Sequence, residues 1–91
     1  MQARALRVFG VQAQLLQLAE ELSEAAAAVA RLANGKGDSW DAIEELVDVE
    51  SVVASLRDHL GTPETWAGIR SVKEDKLREV LERADRERAR A

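Results

Sequence analysis

Ninety-one residues make one small domain with a modest core, so help from a partner subunit or a bound ligand is expected. Seventeen acidic side chains against thirteen basic ones give a net charge of −4, which argues against DNA or RNA as the main partner, because a phosphate backbone favours a basic surface. The chain has no cysteine, which excludes disulfides and thiolate metal sites. No stretch approaches the roughly 20 apolar residues of a membrane span, and the first residues lack the apolar run of a signal peptide, so a cytoplasmic protein without membrane contact is expected.

Alanine, leucine, glutamate and arginine dominate, and no segment alternates with a period of two, so the expected fold class is all-α. Residues 2–9 form a short amphipathic segment carrying Ala5, Leu6 and Phe9, and Gly10 then permits a break. A long helix follows from Val11 to about Ala33. Val11, Leu15, Leu18, Leu22, Ala25, Val29 and Leu32 recur at spacings of three and four, as in a coiled-coil seam. Asn34-Gly35-Lys36-Gly37-Asp38 ends it with residues suited to a left-handed cap.

Asp38 or Ser39 caps the next helix, which runs to about Leu60 with the seam Ala42, Leu46, Val49, Val53, Leu56 and Leu60. Gly61 stops it. Thr62-Pro63-Glu64 is a strong start for a last helix bearing Trp66, Ile69, Val72, Leu77, Val80 and Leu81. Residues 84–91 have no apolar face and are expected to fray. The short 34–38 loop predicts an antiparallel helical hairpin, the last helix a cover for it, and the surplus of apolar surface a bundle completed by oligomerisation. Residues 1–91 are read as a single domain.

Two acidic stretches repeat along the hairpin: Glu20-Glu21-Leu22-Ser23-Glu24 and Glu44-Glu45-Leu46-Val47-Asp48. At about 100° per residue, Glu21 lies about 50° from the centre of its seam, Glu24 about 110° on the same side, and Glu20 nearly opposite. Glu45, Asp48 and Glu44 sit at about 60°, about 120° and nearly opposite on the second helix. Antiparallel packing then brings Glu21, Glu24, Glu45 and Asp48 together beside the seam, while Gln14 and Gln17 continue the stripe toward the helix start. None of the four has a Lys or Arg three or four residues away, so the ordinary solvated helix face describes them poorly, although it suits Glu20 and Glu44. Four crowded carboxylates need a cation, and oxygen-only ligands select a hard one: Mg²⁺, or Mn²⁺.

Glu20-Glu21-x-x-Glu24, then twenty residues, then Glu45-x-x-Asp48 resembles the signature of the MazG-like all-α nucleoside triphosphate pyrophosphohydrolases, related to the dimeric dUTPases and dCTPases. Phe9-Gly10-Val11-Gln12-Ala13-Gln14-Leu15 and Lys73-Glu74-Asp75-Lys76-Leu77 resemble the small single-domain members from phages and bacteria. The similarity extends over about residues 9–83. It implies a helical bundle assembled as a homodimer or homotetramer, and hydrolysis of a (d)NTP to a nucleoside monophosphate and pyrophosphate. It also implies Glu21, Glu24, Glu45 and Asp48 as metal ligands and catalytic groups. The second motif is followed by Val49-Glu50-Ser51-Val52-Val53, without the Asn or Tyr that some relatives place there for the nucleotide.

Substrate contacts are expected from Gln14 and from Lys73 and Lys76. Lys73 interrupts the otherwise apolar line Trp66, Ile69, Leu77, Val80, where it either extends past the core edge or reaches a phosphate. Trp40, Trp66 and Phe9 can stack a base or simply pack. Asn34-Gly35-Lys36-Gly37 has the wrong spacing for a Walker loop. Two other readings compete with the enzyme: a non-catalytic helical interaction module with a solubilising acidic flank, and a nucleotide- and metal-binding relative without turnover.

Overall fold

The structure, a computed structural model, describes residues 2–91, with side chains from Arg4 onward. Its elements are α1 (Gln2–Phe9), α2 (Val11–Ala33), α3 (Ser39–Leu60) and α4 (Pro63–Arg90). There is no strand among the described residues, and no helix is long and apolar enough to cross a membrane. The fold is all-α.

The helix boundaries follow from local chemistry. Gly10 separates α1 from α2 with φ 85° and ψ 164°, a region essentially reserved for glycine. The hydrogen-bond ladder nearly bridges it, since Gly10 N–H donates to Leu6 O at 2.9 Å and Gln14 N–H to Gly10 O at 3.1 Å. Asn34 caps the end of α2. Gly35 turns left-handed at φ 71°, and Lys36 N–H closes back on Arg31 O at 2.9 Å. Asp38 Oδ1 accepts the Asp41 N–H at 2.9 Å and starts α3. Thr62 Oγ1 accepts the Thr65 N–H at 3.1 Å, with Pro63 in the first turn of α4.

Contacts divide the chain into residues 1–60 and 61–91. In the first unit α2 packs along α3, and α1 lies against α3 and α2. The core of this unit is small: Ala25, Ala28, Ala42 and Leu56, with the polar Gln14 and Ser55 buried beside them. The row of α2 that turns inward is Gln14, Leu18, Glu21, Ala25 and Ala28. The row of α3 is Ala42, Glu45, Val49, Val52 and Leu56.

This is a rotation from the expected seams. Leu15, Leu22, Val29 and Leu32 on α2, and Leu46 and Leu60 on α3, are exposed. The reason is steric. Helix axes approach closest where side chains are smallest, and Ala25, Ala28 and Ala42 provide such a line, whereas the leucine stripe would hold the axes apart. The rotation leaves an uncovered leucine face and moves Glu21 and Glu45 from the flank into the α2–α3 contact row.

The second unit is α4 alone. Ile69, Val72, Leu77, Val80 and Leu81 are exposed on it, and Arg78 pairs with Asp75 at 3.1 Å on its surface. The helix continues to Arg90, beyond the point near Arg83 where its apolar residues end. Glu, Arg and Ala favour helix intrinsically, and Glu79/Arg83 and Glu82/Arg86 have the favourable acid-before-base spacing of four.

Candidate metal centre and adjoining cavity

Three of the four carboxylates singled out by spacing converge. One oxygen each from Glu21, Glu24 and Glu45 lies within 4.8 Å of the others. Glu21 and Glu45 are half-buried because they sit in the inward rows of α2 and α3, and Glu24, one turn further along α2, is exposed. Asp48 is not in this group. One turn beyond Glu45, it lines a shallow cleft of about 410 Å³ on α3 with Trp40, Ile43, Glu44 and Val47. Its charge nevertheless acts on Glu45. Glu20 and Glu44 are exposed and outside the group, and Glu44 Oε1 accepts the Trp40 indole N–H at 2.5 Å.

The electrostatics of the group are unbalanced. Burial raises the Glu45 carboxyl above the ordinary glutamate value. The negative charges of Glu24 and Asp48 add to this, followed by a hydrogen bond with Glu24 and the charge of Glu21. Glu21 is positioned by its own helix: Gln17 Nε2 donates to Glu21 Oε1 at 2.6 Å. The remaining oxygens, Glu21 Oε2 and Glu45 Oε2, are buried without a hydrogen-bond partner. Buried acceptors are normally satisfied, so two such lone-pair carriers beside a third carboxylate fit a cation. The donors are all oxygen, which suits a hard divalent ion.

Next to the carboxylates a cavity of about 560 Å³ opens between α1, α2 and α3. Its walls include Ala5, Phe9, Ala13 and Val52, and its polar groups are Gln14, Gln17, Ser51 and Ser55. Gln17 belongs to both places, lining the cavity and holding Glu21. Gln14 is 8% exposed, and Ser55 Oγ lies 2.9 Å from its Oε1. Apolar walls with a few convergent polar groups are the usual form of a small-molecule site.

Among the expected substrate contacts, Gln14 is therefore in the cavity wall. Lys73 and Lys76 are exposed on α4, in the second unit. Phe9 is an exposed rim residue of the cavity, and Trp40 belongs to the α3 cleft. Ser55 was not apparent from motif spacing. The register that sets Glu24 opposite Glu45 also sets Gln14 opposite Ser55, and that signal would have found it. No family model matches the chain, and no curated protein or solved structure matches it either.

Proposed function

We propose that this chain is a Mg²⁺-dependent nucleoside triphosphate pyrophosphohydrolase of the MazG-like all-α kind, cleaving a (d)NTP between its α- and β-phosphates. The observation that carries the reading is the convergence of Glu21, Glu24 and Glu45 within 4.8 Å, two of them with a buried, unmatched oxygen, beside a cavity of nucleoside size. These three residues, with Asp48 at the rim, would hold Mg²⁺ or Mn²⁺. When bound, the ion would offset phosphate charge and acidify the attacking water.

The chain's own residues account for the rest. Gln17 holds Glu21 in place through its amide. Glu45, whose affinity for a proton is raised, suits the role of base for the water. Gln14 and Glu21 are two helical turns apart, roughly 10 Å along the axis. That is about the reach from a nucleobase edge to its first phosphates. A base in the cavity would thus place the triphosphate at the carboxylates.

The proposal includes an assembly: α2 and α3 as an antiparallel hairpin, and further copies completing a homodimer or homotetramer in the cytoplasm. The exposed leucines on α2 and α3 and the exposed apolar residues of α4 support it, since surfaces of this kind are normally buried in a partner. A second reading, a nucleotide-binding relative without turnover, draws on one observation, the position of Asp48 outside the carboxylate group. Pyrophosphate release from a panel of (d)NTPs with Mg²⁺ tests the enzyme, and nucleotide binding without release would favour the second reading.

A further inference from the structure

The cavity contains a feature that selects among ligands. Gln14 is more than nine-tenths buried and lines it, yet its amide is engaged on one side only. Ser55 Oγ lies 2.9 Å from Gln14 Oε1 and 2.7 Å from the Val52 carbonyl, and a hydroxyl has one proton to give. The Val52 carbonyl already accepts the N–H four residues on in α3. Gln14 Oε1 meets no other donor among the described residues, so the proton has most to satisfy there. That leaves Gln14 Nε2 with two hydrogens and no hydrogen-bond partner among the described residues. The side chain is fixed at both ends of this choice: its stem by burial against α3, its oxygen by Ser55.

We infer that Gln14, oriented by Ser55, donates from Nε2 to the C4 carbonyl of a pyrimidine or the C6 carbonyl of a purine, so that the site takes bases with a keto group there (uracil, thymine or guanine) in preference to cytosine and adenine, which carry an amino group. This rests on the proposed nucleotide reading and names its substrate class. The walls contributed by Ala5, Phe9, Ala13 and Val52 enclose the ring apolarly and carry no base-reading group of their own. The Ser51 and Ser55 hydroxyls can each donate or accept and so do not by themselves separate a keto from an amino group, whereas the free side of the Gln14 amide only donates. A keto base satisfies Nε2, whereas an amino group in the same position presents a second donor to it, and both donors lose their partners on desolvation. Gln17 gives one amide hydrogen to Glu21, which holds its side chain toward the carboxylates.

The test uses the whole chain with Mg²⁺ and compares calorimetric binding of the α,β-imido analogues of dUTP and dCTP, which have the same ring size and differ at C4 (keto or amino) and in the proton on N3. Deoxyuridine and deoxycytidine are titrated in parallel, because their binding needs neither the carboxylates nor turnover. The dUTP analogue is expected to bind about tenfold or more tightly than the dCTP analogue. Gln14→Leu should lower that ratio to near one while Mg²⁺ affinity and melting temperature are kept. Ser55→Ala should lower it as well by freeing the amide to turn over. Equal binding, a preference for dCTP, or a preference that survives Gln14→Leu would overturn the inference. Preference without pyrophosphate release would remove the enzymatic reading and leave this one standing, and release without preference would do the reverse. A wild-type chain that binds neither analogue would overturn both.

Discussion

Glu24 of α2 and Glu45 of α3 each bring a carboxylate oxygen within 4.8 Å of the other and of Glu21, and the charge of Glu24 adds to burial in raising the affinity of Glu45 for a proton. A proton on Glu45 relieves the crowding of like charge, and a bound cation would relieve it as well. A proton and a metal ion would therefore compete for the same oxygens.

A pH dependence follows. The folded pKa of Glu45 lies above its ordinary value of 4.5, so between the two the folded chain binds more protons than the unfolded chain. This group therefore favours the fold at low pH and ceases to do so as pH rises through its folded pKa. Metal-free Glu45→Gln should melt above the wild type at neutral pH, with the difference closing as the pH falls toward the ordinary glutamate range. A Gln variant that melts lower at neutral pH would contradict the raised proton affinity of Glu45. In the wild type, Mg²⁺ affinity should fall with pH over the same window.

The carboxylates are expected to divide into three classes by metal titration. Glu21→Gln and Glu45→Gln each remove a half-buried donor and should weaken Mg²⁺ binding by about 100-fold or more. Glu20→Gln and Glu44→Gln, exposed and outside the group, should leave it within about twofold, since surface changes away from a site have small effects. Asp48→Asn should fall between, because Asp48 acts on Glu45 through its charge without joining the 4.8 Å group. Calorimetry on these five variants checks the order, and a large loss in Glu20→Gln or Glu44→Gln would show that the helical phase is wrong.

Most of this fold was legible in the sequence at the level of elements. Gly10, the Asn34–Asp38 turn and Thr62-Pro63 each carry a local chemical instruction, and each marks a helix boundary. The end of α4 was less legible, since a missing apolar face says where packing stops and not where helix propensity stops. The rotation of α2 against α3 was not legible from apolar spacing, because a leucine stripe and an alanine line compete and the outcome depends on how closely two axes can approach. Spacing singled out the three converging carboxylates together with Asp48, but it placed Glu21 and Glu45 beside the contact row and not within it.

The alanine line makes its own prediction. Ala25→Leu, Ala28→Leu or Ala42→Leu would force side chains into a contact built for methyl groups, at a cost of about 1–3 kcal/mol. For a domain of this size each kcal/mol corresponds to a melting temperature lower by about 4–8 °C. Thermal melts of the three variants check this, and unchanged melting would show that α2 and α3 do not meet along that line.

Gly10 offers a test of the α1–α2 junction. A Cβ there would meet nothing within 4 Å, so any penalty for Gly10→Ala comes from the backbone angle alone. Holding alanine at φ 85° and ψ 164° costs about 1–3 kcal/mol. The variant should melt lower and, because Ala5 and Phe9 line the cavity, should bind nucleotide more weakly while Mg²⁺ affinity is kept. An unaffected Gly10→Ala would place α1 outside the ligand site.

The uncovered leucine face predicts self-association. Light scattering at micromolar concentration should give twice or four times the 10.0 kDa chain mass, and Leu22→Glu or Leu46→Glu should lower it. A monomeric wild type would remove the proposed assembly.

The central claim is that Glu21, Glu24 and Glu45 support hydrolysis between the α- and β-phosphates of a nucleotide. It is tested most directly by incubating wild type and Glu45→Gln with each canonical (d)NTP and Mg²⁺ and measuring pyrophosphate and orthophosphate separately. The account predicts nucleoside monophosphate and pyrophosphate in equal amounts from the wild type, dependence on Mg²⁺, and a loss of about 100-fold or more in Glu45→Gln. Orthophosphate as the product, no pyrophosphate from any nucleotide, or full activity in Glu45→Gln would contradict it.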